Sequence, residues 1–110
     1  MKLQIDPVEL STRLRSEDPP VLLDVREPEE NAIVSLPHAR LIPLSDLPLR
    51  LAELADLRAQ SREIVVYCHH GIRSMHAITL LRNAGFVHLR NLRGGIDRWA
   101  AEIDPTLPRY

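Results

Sequence analysis

The sequence predicts an α/β fold, a single domain over residues 1–110 with a central parallel sheet of about five strands flanked by helices on both faces. Its 110 residues suit one compact domain rather than two. Hydrophobic residues make up 45% of the chain and charged residues 26%, which is typical of a stable globular protein. Short apolar runs alternate with longer amphipathic stretches, the pattern of strands alternating with helices.

Five short runs are predicted as strands. They cover residues 3–5, 21–25, 39–42, 63–68 and 87–92, the first of them at an edge of the sheet. The clearer runs are continuous and rich in β-branched residues, which suits parallel strands buried on both faces better than hairpins with one wet face.

Five stretches between these strands are predicted as helices. They cover residues 7–15, a short segment that begins at residue 27, residues 47–57, residues 73 or 74 to 84, and residues 96–102. Asp6 and Pro7 suit the N-cap and the first position of the first helix, and Gly85 suits the end of the fourth. The proline-rich segment 104–110 is expected to lie along the surface without helix.

Charge and apolar patterning exclude several classes of partner. The chain has 14 basic and 15 acidic residues and a formal net charge of -1, so we expect no nucleic-acid partner and no attraction to an anionic membrane. Its apolar runs are far shorter than the roughly 20 residues of a membrane span. The N-terminus lacks the apolar region of a signal peptide, and the single cysteine suits a reducing compartment. We therefore expect a cytoplasmic protein.

The segment 64–74 carries the chemistry. Cys68 stands at the end of a predicted strand, followed by a tight loop and a helix start, where backbone N–H groups and the helix dipole favour a thiolate. We expect this sulfur to be exposed and ionised. Gly71 lets the loop curl, Arg73 offers a permanent positive charge with forked donors for an anion, and Ser74 could cap the helix or donate to the sulfur.

The alternative interpretation is that Cys68 is a buried strand-end residue, since cysteine packs well as a small hydrophobe. Its surroundings favour the functional interpretation, because His69, His70 and Arg73 would be costly to bury without partners.

Segment 68–74 resembles the active loop of the rhodanese domains, which has the form Cys-x-x-Gly-x-Arg-Ser/Thr. The resemblance extends upstream to residues 22–30, which read Leu-Leu-Asp-Val-Arg-Glu-Pro-Glu-Glu, and downstream to residues 91–99, with Gly-Gly-x-x-x-Trp. It implies a sulfurtransferase that moves sulfane sulfur from thiosulfate or a similar donor to a thiophilic acceptor through a Cys68 persulfide. Cys68 and Arg73 would be catalytic, and the substrate would be surrounded by His69, His70, Gly71, Ile72 and Ser74.

The implied partners are a small-molecule sulfur donor and a thiol or cyanide acceptor, or a sulfur-accepting protein. No cofactor is implied. His69 and His70 are not expected to bind a metal, because adjacent side chains in a curled loop diverge and no further Cys or His stands at zinc spacing. We expect them to line the pocket, where a protonated imidazole would favour the thiolate.

Two alternative functions remain open: a phosphatase or arsenate reductase, and a sulfur-relay or regulatory module. Phosphatases and arsenate reductases that resemble this fold have one more residue in the loop, whereas four residues separate Cys68 from Arg73, a spacing that suits a sulfur atom better than a phosphoryl group. The other alternative is a non-enzymatic or partner-specific sulfur-relay or regulatory module, which the same loop chemistry would also serve.

Arg26 has two interpretations. It could hold an anionic donor at the pocket rim, or it could form a structural ion pair, with Glu30 as the suggested partner. Asp24 is expected to organise the loop by accepting backbone N–H bonds.

The chain departs from the family pattern at Asn31, Ser35 and His38, which replace an aromatic residue, a histidine and a glycine. If that glycine has a left-handed backbone, His38 must tolerate this conformation or reshape the turn.

Overall fold

The computed structural model describes residues 2–110, and strands and helices alternate along them. The strands are β1 Gln4–Ile5, β2 Val21–Asp24, β3 Arg40–Leu41, β4 Ile64–Tyr67 and β5 Leu89–Leu92. The helices are α1 Pro7–Leu14, α2 Pro28–Ile33, α3 Leu47–Arg50, a 3₁₀ helix Leu51–Leu54, α4 Ala55–Ala59, α5 Ile72–Asn83 and α6 Gly95–Glu102. The predicted α/β class is confirmed.

All five strands are parallel, in the order β1-β5-β4-β2-β3. Strand β4 lies in the middle, where Val66 is paired with Leu23 of β2 on one side and with Asn91 of β5 on the other. The carboxyl ends of parallel strands meet at one edge of the sheet, which is where open α/β sheets bind ligands. The segment that follows β4 therefore emerges at the centre of this edge.

Helices cover both faces of the sheet, as predicted, and successive residues of β4 point to opposite faces. Val66 packs with Leu57 of α4 and Ile78 of α5 in one buried cluster. In the other cluster, Tyr67 packs with Leu10 of α1 and with Ile96 and Trp99 of α6. The site at the strand ends is thus supported by a core on each side.

Two predicted elements differ from the structure. The predicted helix over residues 47–57 is divided into α3, the 3₁₀ helix and α4, and the three-residue spacing of Leu51, Leu54 and Leu57 fits the 3₁₀ repeat of its middle part. The last strand begins at Leu89 because its pairing with β4 begins there, opposite Ile64, which leaves Val87 69% exposed. Over residues 2–110, no helix has both the length and the apolar character needed to cross a membrane.

The turn at His38 keeps a left-handed backbone. His38 has φ of 63°, in the region that glycine adopts most easily and that histidine visits more often than most residues. Of the two expectations, the histidine therefore tolerates the conformation.

Candidate active site

Cys68 directly follows β4, and its sulfur is surrounded by hydrogen-bond donors from the loop. The backbone N–H of Gly71 donates to Sγ at 3.0 Å, and the hydroxyl of Ser74 lies 3.4 Å from it. Gly71 has φ of 105°, a left-handed conformation that is strained for any residue with a Cβ. The curl that turns its amide toward the sulfur therefore depends on glycine.

These donors change the ionisation of the thiol. Burial opposes the charged form, but the Ser74 hydroxyl and the backbone N–H groups of Ser74, Gly71 and His70 stabilise it, and together they lower the pKa of Cys68 below its ordinary value. A lowered pKa increases the thiolate fraction at neutral pH, and the thiolate is the nucleophilic form.

The expectation that this sulfur is exposed is wrong. Cys68 is only 1% exposed, because its side chain continues the alternation of Ile64 and Val66 and points to the same face as they do. It packs there with Ala77 and Ile78 of α5. The sulfur is nevertheless not an inert core atom, since a loop amide is directed at it.

The first turn of α6 stabilises the active loop through two backbone hydrogen bonds. The backbone N–H of Ile96 donates to the carbonyl of Cys68 at 3.0 Å, and that of Asp97 donates to the carbonyl of His69 at 3.1 Å. Gly95, with φ of 64°, lies directly under these two carbonyls, and a Cβ added to it would stand 2.7 Å from the Cys68 oxygen. The glycine pair before α6 is thus part of the support of the loop.

Arg73 is paired with Glu30 of α2, the helix that follows the neighbouring strand β2. Its guanidinium donates to both carboxylate oxygens of Glu30, at 2.6 and 2.9 Å, and the Tyr110 hydroxyl donates to one of them at 2.8 Å. The hydrogen bond from Arg73 lowers the pKa of Glu30 to about 2, so the carboxylate is ionised at neutral pH. The candidate anion-binding arginine already holds an anion of the chain itself.

Arg26 does not lie at the pocket rim, so of its two interpretations the structural ion pair agrees with the structure. The residue is fully buried and makes a two-pronged pair with Asp24, with nitrogen–oxygen distances of 2.9 and 2.7 Å. It also donates to the carbonyl of Val34 and to the Tyr110 hydroxyl. The suggested ion pair between Arg26 and the Glu30 carboxylate is wrong. That carboxylate binds Arg73, and only the backbone carbonyl of Glu30 accepts a hydrogen bond from Arg26.

Asp24 organises this end of β2 as expected, and does more. It accepts the backbone N–H of Arg26 at 3.0 Å, together with the Asn31 amide at 3.1 Å and the Tyr67 hydroxyl at 3.2 Å. Asn31, one of the departures from the family pattern, therefore contributes a polar contact where the family has an aromatic ring.

The two loop histidines do not diverge. The rings of His69 and His70 stack with 3.9 Å between centroids, and His69 stacks on Tyr110 at the same separation. Burial, and secondarily the neighbouring His70, lower the pKa of His69 below its ordinary value. The protonated imidazole that was expected to favour the thiolate is therefore disfavoured at this position. Ile72, the remaining loop residue, is 70% exposed.

Tyr110 and Asn91 were not predicted as neighbours of the loop, and Glu30 was named only as a partner of Arg26. Glu30 and Tyr110 bind the arginines across the sheet edge, and Asn91 accepts the hydroxyl proton of Ser74. Asn91 carried a usable signal, because a carboxamide inside a predicted parallel strand that is covered on both faces needs buried hydrogen-bond partners.

A separate pocket of about 500 Å³ opens near Val21, at the amino end of β2. It is lined by Leu14, Pro20, Val21 and Trp99 together with Arg15, Arg40 and other residues, and the loop 68–74 takes no part in it. The candidate site is therefore identified by the chemistry of its loop and not by the depth of a cavity.

Comparison with known proteins relates the chain to one domain family, to proteins named as sulfurtransferases and to solved structures of similar fold. The family model of the rhodanese-like domain matches residues 6–102. A protein of Allochromatium vinosum named "Sulfurtransferase" is 37% identical over 97 residues, which cover 88% of this chain and 87% of that protein. "Adenylyltransferase and sulfurtransferase MOCS3" of Arabidopsis thaliana is 33% identical over 97% of this chain, which spans only 26% of that protein. The solved structure of a human single-domain sulfurtransferase, TSTD1, superposes with a TM-score of 0.80 at 30% identity and covers 93% of this chain and 98% of its own.

Proposed function

The chain belongs to the rhodanese-like domain family, and on that premise we propose that it is a sulfurtransferase that carries sulfane sulfur as a persulfide on Cys68. The observation that carries this proposal is the amide of Gly71, 3.0 Å from a sulfur whose pKa is lowered. A sulfur held in this way is prepared to act as a nucleophile.

The reaction has two balanced steps. The Cys68 thiolate attacks the outer sulfur of thiosulfate, a new S–S bond forms, the S–S bond of thiosulfate breaks, and sulfite leaves with the bonding electron pair. A nucleophilic acceptor then attacks the terminal sulfur of the persulfide and releases the thiolate again. Cyanide would give thiocyanate, and a thiol would become a persulfide. The chain has one cysteine, so the acceptor is another molecule.

The loop supplies the stabilisation of this intermediate. The N–H groups from His69 to Arg73 would surround the terminal sulfur and stabilise its negative charge, as an oxyanion hole does for oxygen. Ser74 would donate to the Cys68 thiolate before the persulfide forms, and Ile72 would offer an apolar contact at the mouth of the loop. Because Cys68 is 1% exposed, the donor reaches Sγ only when the atoms that cover it move aside.

Intact-mass measurement tests the proposal. After treatment with thiosulfate, the wild-type protein should gain the mass of one sulfur atom, and cyanide should remove this mass and yield thiocyanate. Cys68→Ala should gain none. A wild-type protein that stays unmodified with thiosulfate and also with a small-molecule persulfide, while it remains folded, would contradict the proposed sulfur transfer.

We propose thiosulfate as a donor. It is expected to bind weakly, because Arg73, the candidate anion-binding residue, is already paired with Glu30. The dianion must compete with a carboxylate that holds both prongs of the guanidinium. Glu30→Gln is therefore expected to lower the KM for thiosulfate by about three- to fivefold, the size of one partly screened charge contact. Steady-state kinetics with cyanide as acceptor measures this change.

Glu29→Gln is the matched control, because it removes the same charge from an exposed position on the same helix. Its KM for thiosulfate should stay near the wild-type value. Equal effects of the two substitutions would show that net charge matters and that the ion pair with Arg73 does not select against the dianion.

A relay to a partner protein is the second candidate, and one comparison favours it. The chain spans about a quarter of a relative whose name joins an adenylyltransferase with a sulfurtransferase, so the same domain occurs attached to other activities. A protein thiol as acceptor would be recognised by faster loss of the persulfide mass than with equal concentrations of small thiols. The cytoplasm is the proposed location, because Cys68 must be kept reduced between turnovers.

A further inference from the structure

We propose that Asn91 is a positioning residue that opposes ionisation of Cys68 by competing with the sulfur for the single hydroxyl proton of Ser74. The inference concerns the nucleophile of the proposed function and deepens it. Its test measures the thiolate directly, without any sulfur donor.

The three side chains form a buried line. Ser74 Oγ lies 3.4 Å from Cys68 Sγ on one side and makes a short hydrogen bond to Asn91 Oδ1 on the other. Cys68, Ser74 and Asn91 are 1%, 0% and 3% exposed. Water has little access to this line, so each polar atom must be satisfied by its neighbours.

Counting protons shows that the two contacts of Ser74 conflict. A hydroxyl has one proton to donate, and a carboxamide oxygen has none. The contact between Ser74 and Asn91 Oδ1 therefore uses the proton of Ser74. The contact between Ser74 and Cys68 is then a hydrogen bond only when the thiol supplies the proton, which a thiolate lacks.

Ionisation of Cys68 consequently requires the Ser74 hydroxyl to turn. Its proton must leave Asn91 Oδ1 and point to the sulfur, and the carboxamide oxygen loses its partner in a buried place. When the sulfur has become a neutral inner atom of the persulfide, the proton can return to Asn91. The hydroxyl of Ser74 thus alternates between two acceptors during the proposed cycle.

The orientation of the Asn91 carboxamide is fixed by acceptors on its other side. Its Nδ2 donates to Gln4 Oε1 at 2.9 Å and faces the backbone carbonyl of Gly71 at 3.5 Å. Gln4 is the strand partner of Asn91, on β1. Exchanging the oxygen and nitrogen of Asn91 would set two oxygens against each other at Gly71, whose carbonyl cannot donate.

The pH dependence of thiolate absorbance in the ultraviolet tests this inference, with Cys68→Ala subtracted as the background from the tyrosines. Asn91→Leu keeps a similar volume and removes the acceptor. The midpoint of thiolate formation is expected to move to lower pH by about 0.5 to 1 unit, which corresponds to one hydrogen bond. Ser74→Ala should move it to higher pH, and Asn91→Leu should change nothing further in that background.

Asn83→Leu, on the exposed end of α5, is the matched control and should leave the midpoint unchanged. Asn91→Ala, which also lacks the acceptor, replaces Asn91→Leu if leucine prevents folding. A shift to higher pH in either Asn91 variant, or a shift that persists without the Ser74 hydroxyl, would overturn the inference. If the variants show the expected midpoints but the wild-type protein takes up no sulfur, the proposed function is refuted and this inference is not.

Discussion

Gly95→Ala is expected to lower sulfur transfer by about 100-fold, the loss that a displacement of roughly 1 Å can cause at a reactive centre. The new Cβ would stand 2.7 Å from the carbonyl oxygen of Cys68 and still closer to that of His69. Both carbonyls are backbone atoms held by the first turn of α6. They can give way only if the active loop moves, and the amide of Gly71 then leaves its position at the sulfur.

Gly85→Ala separates this effect from backbone strain. Gly85 also has a left-handed backbone, with φ of 95°, and a Cβ there would meet only the side chain of Arg58, at 3.6 Å. Each alanine should cost about 1–2 kcal/mol of stability for its left-handed conformation. Only Gly95→Ala should also lower kcat/KM per folded molecule, and equal activity of the two variants would show that Gly95 does not position the loop.

The order of elements and the place of the reactive loop could be predicted from the sequence because both are local properties. The alternation of apolar runs with amphipathic stretches defines strands and helices within a few residues. The spacing from Cys68 to Ser74 defines a loop whose amides lie near the sulfur whatever else surrounds it. The structure agrees with both, apart from short shifts at element ends and the division of the predicted helix 47–57 into three parts.

The burial of Cys68 could have been predicted and was not. Ile64, Val66 and Cys68 share one parity along β4, so a strand covered on both faces directs all three side chains into the same core. The expectation of an exposed thiolate was based on the chemistry of the loop and did not take this alternation of side chains into account.

The partners of the arginines could not be predicted, for a different reason. Arg73 and Glu30 are 43 residues apart, and Arg26 and Tyr110 are 84 apart. Arg73 and Glu30 meet because β4 lies beside β2 in the sheet, whereas Tyr110 reaches Arg26 from the segment that follows α6. Which side chains pair at the ends of neighbouring strands depends on their positions in three dimensions, which the sequence alone does not give. Glu30, four residues from Arg26 along the chain, was therefore assigned to the wrong arginine.

Asp24→Leu is expected to lower the free energy of unfolding by about 3–5 kcal/mol, the typical result of removing one partner of a buried ion pair. Asp24 and Arg26 are both fully buried, and the aspartate accepts hydrogen bonds from Arg26, Asn31 and Tyr67. Without it, the Arg26 guanidinium keeps its charge and loses the anion that compensates its burial. Chemical denaturation at neutral pH measures the loss.

Adding Arg26→Met to Asp24→Leu tests whether the unpaired charge causes this loss. The double variant should be more stable than Asp24→Leu alone, because replacing a whole buried pair by apolar side chains removes the desolvation cost of both ions. Glu53→Gln breaks the exposed pair with Arg50, which is joined by a 2.7 Å contact, and should change stability little because water solvates both groups there. If Asp24→Leu cost no more than Glu53→Gln, the buried pair would not hold this end of β2, and the position of Glu30 relative to Arg73 would have to depend on α2 alone.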